Sequence, residues 1–473
     1  MSEQVFKYFN EISSIPHGSG NMEKIADYCV DFANSHGLKF VRDEANNVII
    51  YKNGTAGYEN SAPIILQGHL DMVCQKTADS NIDFLKDQIE IFTDGDFLKA
   101  RNTTLGADNG IAVAMILTIL ADNSIAHPAI EAVLTTDEEI GMIGASKLDF
   151  SLLSAKKMIN MDSEEENVVT VSCAGGSDFS ATLPITREIK TGTKLTVTLE
   201  GLKGGHSGVE INKGRVNADI LMGRFLNRMA DILDFDIISI NGGDKGNAIP
   251  NRCIAELTVQ NPDSFKTEAQ EYLNVIKNEI SARENAFSFV IDINDKAEYL
   301  VFDAKTKRNI ISTLFTVPNG ITEMSAEIEN LVETSLNLGI LKTENDKIIL
   351  NFALRSNKQS ALDALEERLT AFFGFVESTI SVSGHYPPWE YKENSDLRKL
   401  YTKSYKSEFG REVKVEAIHA GLECSVFASN IQDLDCIAIG PDMFDVHTVN
   451  EKLSISSTKR IFNLLLKILQ QSK

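Results

Sequence analysis

Up to about residue 175, short runs rich in β-branched residues alternate with segments of helical periodicity, the pattern of an α/β layer structure. "NVIIYKNG", "APIILQGH", "IEAVLTTD" and "KMINMDS" predict strands, while "NMEKIADYCVDFANSHG" and "NGIAVAMILTILADN" predict helices. From "GGSDFSATLPITREIK" onward the texture changes to alternating strands such as "KLTVTLEG" and helices such as "DSFKTEAQEYLNVIKNEI" and "SALDALEERLTAFF". Ser360 and Asp363 have the spacing of a capping box for the last of these. After "SGHYPPWEYKENSD" the strand–helix alternation resumes, and "CIAIGPDMFDVHTVNE" ends a strand with a histidine. The simplest organisation is one α/β domain, residues 1–176 and 386–473, interrupted by an inserted α+β domain at 177–385.

A chain of 473 residues, 43% of them hydrophobic, can bury more than one core. Lys and Arg total 46 against 67 for Asp and Glu, a net charge of -21 that has the wrong sign for a phosphate-binding surface. Nucleic acid is therefore not an expected partner. The six cysteines are scattered without a C-x-x-C pair, so reduced thiols are expected rather than a zinc ribbon or redox motif. The N-terminal stretch is amphipathic and carries Glu3 and Glu11 in place of a basic start, unlike a secretory signal. The longest apolar run, "IAVAMILTILA", is 11 residues, about half of what a membrane span needs. Together these features predict a cytoplasmic protein with no membrane partner.

Polar candidates gather where the apolar runs stop. His69 and Asp71 in "ILQGHLDMV" are two apart at a strand end and leave on the same face. A metal-bound histidine usually donates its other ring N–H to a carboxylate, which such a pair can supply. Asp108 in "LGADNGIA" precedes a helix, Glu138 and Glu139 in "TTDEEIG" follow a strand, Asp162 ends another, and His447 lies near the C-terminus. Taken singly, each has an ordinary structural role: a surface hydrogen bond for His69, an N-cap for Asp108, acids at a helix N-terminus for the "DEE" trio. Taken together, two histidines and several carboxylates suit two divalent ions, zinc first, with Mn²⁺ or Co²⁺ as substitutes. Three ligand carboxylates and one bridging hydroxide would balance two such ions in charge.

In order along the chain, "GHLDMV", "LGADNGIA", "TTDEEIGMIGA", "NMDSEE", "GLKGGHSG", "GNAIPN" and "IHAGLECS" resemble the aminoacyl-histidine dipeptidase branch of the M20 di-zinc peptidases. The resemblance runs from about residue 10 to the end. It implies an α/β catalytic domain with a mixed sheet, interrupted by an α+β lid through which a homodimer forms. It also implies hydrolysis of small peptides, Xaa-His dipeptides among them, with a related amidohydrolase or deacylase acting on N-acyl amino acids as the alternative. Position by position, His69 and Asp162 would hold one zinc, Glu139 and His447 the other, and Asp108 would bridge them. Asp71 would orient His69, and Glu138 would be the general base that moves a proton from the bridging water to the leaving amine. His206 would stabilise the oxyanion, in similar enzymes often from the partner subunit. Asn247, Arg355 and Gly421 match substrate-contacting positions, and the planar fork of Arg355 suits a dipeptide carboxylate.

The chain also departs from that pattern. Where the family usually has H-[ST]-P-D-E, this sequence has "HTVNE", with Val449 and Asn450 in place of proline and aspartate. Ser425 stands where glycine is expected, which would alter the substrate pocket. His17, His36, His127 and His385 are expected to be structural or solvated, whereas His419 adjoins the "AGLEC" loop. No H-E-x-x-H and no G-x-S-x-G occurs, which excludes a zincin helix and a serine hydrolase elbow.

Overall fold

The computed structural model describes residues 2–473, which divide into two compact units. The first comprises the chain up to Cys173, Trp389–Ala417 and Leu422–Lys473. Its eight-stranded sheet has the order Lys39–Arg42, Val48–Lys52, Ile130–Thr135, Ile64–His69, Lys157–Asn160, Asp435–Ala438, Val168–Cys173 and Lys414–Ile418. The four strands from Ile130–Thr135 to Asp435–Ala438 are mutually parallel, and the pairs flanking them are antiparallel, so the sheet is mixed. Ile64–His69 and Ile130–Thr135 are buried at every position, which is why they read as unbroken apolar runs rather than as alternation. The helical span Ala107–Ala121 is apolar all round because it is buried on nearly all sides. It begins irregularly, with Asp108 and Asn109 in non-helical conformations. Parallel strands collect their C-terminal ends on one edge, the usual place for a ligand in such sheets.

The second unit is Ala174–Pro388 with Ile418–Gly421. Sequence periodicity predicts 177–385 and leaves 418–421 with the C-terminal part; the structure moves that short segment across. Ala174 N–H donates to both Ile418 O and Ala420 O at 3.1 Å, and the His419 ring meets Ser335 Oγ at 2.7 Å. The unit is built on a nine-stranded sheet, its strands paired antiparallel, running from Ser288–Phe302 at one edge to Thr379–Tyr386 at the other. The helices Ala218–Ile232, Pro262–Ile280, Ala304–Thr316 and Gln359–Gly374 accompany it, around a core that includes Phe179, Phe225, Phe352 and Phe373. The capping box expected at Ser360 is not formed. The helix starts at Gln359, so Ser360 already lies in its first turn, and Asp363 accepts instead from Gln359 Nε2 at 2.8 Å.

In the first turn of Ala218–Ile232, Asp219 is fully buried, and its carboxylate oxygens find no N–H or O–H donor among the described residues. A Cβ on Gly242 would lie 1.8 Å from Asp219 Oδ1, so only glycine fits opposite it. Burial pushes this acid up to about 8, against a small opposing pull from the Cys253 thiol. An acid protonated in the fold but ionised when unfolded contributes stability that is full below about pH 4 and lost as pH rises towards 8. Asp219→Asn is therefore expected to gain on the parent in Tm by about 5 °C or more between pH 5 and pH 8. Thermal melts at both pH values check this, and an unchanged difference would show that the acid is not buried in its neutral form.

Candidate metal centre

Asp71, His69 and the acid trio are locked together by the loops that follow two parallel strands. His69 is 1% exposed, and its Nδ1 faces Asp71, 3.0 Å from the backbone O and 3.4 Å from Oδ1. Its Nε2 lies 3.2 Å from Asp108 Oδ1 and 3.4 Å from Asp162 Oδ1, and with a cation in place it would present a lone pair there while Nδ1 keeps its proton on Asp71. Asp71 does more than orient an imidazole. Its carboxylate accepts from Glu138 N at 2.9 Å, Glu139 N at 3.2 Å and Ser19 Oγ at 2.8 Å, so it also clamps the turn carrying the two glutamates. The third acid has a separate partner: Asp137, at φ +52°, accepts from Gly20 N at 2.6 Å. Asp137 and Glu139 thus have separate partners, Gly20 and His447.

Asp108 uses its two oxygens separately. Oδ1 meets His69, and Oδ2 lies 3.1 Å from His447 Nε2, which in turn is 2.9 Å from Glu139 Oε1. His447 sits in a loop at φ +61°, beyond the short strand Met443–Phe444 rather than at the end of Asp435–Ala438. Asn109 Nδ2 donates to Asp162 Oδ1 at 2.7 Å. Among the described residues, three overlapping sets have ligand atoms within 4.8 Å of one another: His69, Asp108, Asp162; Asp108, Glu139, His447; and His69, Glu138, Glu139.

Burial opposes the charged form of Asp108, but the imidazoles on its two oxygens hold its acid well below the usual carboxylate range. Burial, reinforced by the neighbouring Asp108 and only partly offset by His69, pushes Asp162 up to about 7. Burial also lifts Glu138 well above the ordinary range, with Asp162, Glu423 and Glu139 adding repulsion. Hydrogen bonds to Asp108 and Glu139 draw His447 up to about 11. Carboxylates crowded around two imidazoles could hold divalent cations. The all-nitrogen and oxygen donor set fits zinc, manganese or cobalt.

One supporting residue escapes sequence reasoning. Glu451 is 3% exposed, and its carboxylate accepts from the backbone N–H groups of Leu105 at 2.6 Å, Gly106 at 3.1 Å, Ala107 at 2.8 Å and Asp108 at 3.4 Å. Glu451, not Asp108, therefore caps the start of the helical span, which frees the Asp108 side chain for the histidines. The available signal was the glutamate kept in "HTVNE" after two of its neighbours changed.

The other candidates belong to the second unit. His206 lies on the two-residue strand Gly205–His206, and its Nδ1 accepts from Gly208 N at 3.1 Å and Val209 N at 3.2 Å. That fixes the proton on Nε2 and leaves an N–H free to donate. Burial, then Arg355, lowers its pKa and keeps it neutral. Asn247 is exposed, and its backbone O holds Ser207 N at 2.9 Å. Arg355 donates through Nη1 to Tyr386 at 2.7 Å, while its Nε has no hydrogen-bond partner among the described residues. Both side chains border Gly208, where a Cβ would lie 3.0 Å from His206 Cε1 and 3.1 Å from Arg355 Nε. His419, two residues before Gly421, is tied at both nitrogens, to Ser335 Oγ and to Asn357 Oδ1, and burial brings it down to about 3. It is a structural partner of the cluster.

His17 and His127 are buried against backbone carbonyls, and His36 bonds Phe32 O at 2.9 Å. His385 pairs with Glu366 at 3.0 Å. Ser425 is fully buried.

The sequence pattern of peptidase family M20/M25/M40 matches residues 65–471. The chain is 38% identical to the cytosol non-specific dipeptidase of Escherichia coli over 475 aligned residues, covering 99% of this chain and 97% of that one. Among solved structures it is similar to an aminoacylhistidine dipeptidase from Vibrio alginolyticus, with TM-score 0.90 and 36% identity over 99% of this chain and 96% of that one. A tripeptidase from Staphylococcus aureus shares the fold, with TM-score 0.57 at 16% identity over 100% of this chain and 98% of that one.

Proposed function

The chain belongs to peptidase family M20/M25/M40, and from that premise we propose that it is a metal-dependent dipeptidase acting on peptides with a free amino end. The observation that carries this reading is Asp108, placed with one oxygen on each histidine between two overlapping donor sets. His69 and Asp162 would hold one divalent ion, Glu139 and His447 the second, and Asp108 both. When bound, the pair supplies positive charge that acidifies a water and polarises a carbonyl. Glu138 takes the water's proton on its carboxylate and passes it to the leaving amine. Asp71 keeps the His69 tautomer and holds Glu138 and Glu139 in place through their backbone. His206, with its proton fixed on Nε2, donates to the developing oxyanion, and Arg355 receives the substrate carboxylate. Asn247 and Gly421 complete the substrate contacts.

The names of the two similar proteins, one non-specific and one aminoacylhistidine, support a broad preference that includes Xaa-His. A homodimer through the inserted unit and a cytoplasmic location belong to the same reading. Among the described residues no helix is long and apolar enough to cross a membrane.

Protein reconstituted with Zn²⁺, Mn²⁺ or Co²⁺ should hydrolyse a dipeptide at least about a hundredfold faster than its N-acetylated form, because an acyl group cancels the ammonium charge. Faster cleavage of the acetylated compound would replace the dipeptidase by a deacylase. The same assay on His206→Ala is expected to lower kcat by about a hundredfold with metal content unchanged. An unaltered kcat would remove His206 from the chemistry.

A further inference from the structure

Beneath the candidate ligands, three neighbouring strand ends carry one continuous row of hydrogen bonds, and we propose that Glu423 is the positioning residue that sets the direction of that row. Gln67 lies two residues before His69, Thr135 ends the strand leading to Glu138 and Glu139, and Asn160 lies two residues before Asp162. The strands are adjacent and parallel, with Gln67 in register with Asn160 and His69 with Thr135. Glu423 is fully buried, and its Oε2 accepts from Thr135 Oγ1 at 2.7 Å and from Gln67 Nε2. Gln67 Nε2 also donates to Thr135 Oγ1 at 3.1 Å, and Gln67 Oε1 accepts from Asn160 Nδ2 at 2.5 Å. Asn160 Oδ1 then accepts from the backbone N–H of Asp162 at 3.2 Å.

The direction follows from what each group can give. In its ionised form Glu423 only accepts, so Gln67 must turn its NH₂ towards it. Its oxygen is then left for Asn160, which must turn its own NH₂ inward and its oxygen towards Asp162. A flipped amide has the same shape and fills the same space, so packing alone does not choose between the two states. One buried acid thereby selects both, and the last amide in the row holds the backbone of a candidate ligand. Partners behind the ligands of metal sites commonly tune affinity in this way.

The inference rests on the proposed function only in taking His69 and Asp162 as ligands, and it is tested on metal affinity rather than turnover. Zn²⁺ affinity is measured by competition with a chromophoric chelator for the parent, Asn160→Asp, Glu423→Gln and the double variant, each checked for folding by circular dichroism. Asn160→Asp sets an acceptor against Gln67 Oε1. While the introduced carboxylate stays ionised, Gln67 can satisfy it only by flipping, which turns its oxygen onto Glu423. Affinity is expected to fall about tenfold or more, whereas Coulomb attraction from the added charge alone would raise it. Glu423→Gln supplies the donor that a flipped Gln67 needs, so the double variant should return to within about threefold of the parent.

Asn160→Asp binding zinc as tightly as the parent or tighter, or a double variant no better than Asn160→Asp alone, overturns the proposal. Should Asn160→Asp fail to fold, the double variant decides: recovered folding supports the relay, and continued failure overturns it. A parent that binds zinc yet leaves dipeptides intact refutes the dipeptidase reading alone.

Discussion

Glu138→Gln is expected to cut turnover by about 10³–10⁴-fold while the protein keeps its full complement of divalent ions. Glutamine preserves the volume and one acceptor oxygen but cannot take a proton. The clamp from Asp71 acts on the backbone N–H of residue 138, so the turn and Glu139 should stay where they are. The measurement pairs metal analysis with steady-state kinetics. Because His69, Glu138 and Glu139 also form a compact donor set, the outcome has a sharp alternative: loss of an ion would make Glu138 a ligand. Turnover within tenfold of the parent would remove it as the base.

Asp108→Asn should have a comparable effect for a different reason. Its two oxygens face different histidines, and the substitution replaces one of them by an NH₂ group that cannot bind a cation. Charge is lost at the one residue shared by the two donor sets. Metal content is expected to drop from two ions towards one, and kcat by at least about 10³-fold. Glu451 caps the backbone of this segment independently of the Asp108 side chain, so the fold should survive. Two ions retained at parental affinity would show that Asp108 does not bridge them.

Much of the candidate centre was legible in the sequence because parallel strands, buried on both faces, appear as unbroken apolar runs whose ends are marked by the first polar residues. His69, Asp162 and the "DEE" trio stand at such ends. The supporting shell was not legible, because its partners are far apart in the chain. Glu451 reaches back to Leu105–Asp108, Glu423 to Thr135 and Gln67, and Gly20 to Asp137. No local spacing announces a pairing across hundreds of residues. The inserted unit shows the same limit on a smaller scale. Ser360 and Asp363 have the right spacing for a cap, but the helix begins one residue earlier, and the segment at Ile418–Gly421 is assigned by bonds to Ala174 and Ser335 that periodicity does not encode.

Asp71 touches both halves of the centre, for it faces His69 from one donor set and holds the backbone of Glu139 from the other. With Asp108 shared above and Asp71 shared below, a displacement of either half is transmitted to its neighbour. Two cations held there would form a linked pair rather than occupy two independent sites. Whatever the first ion does to the affinity for the second, the second must do in equal measure to the affinity for the first.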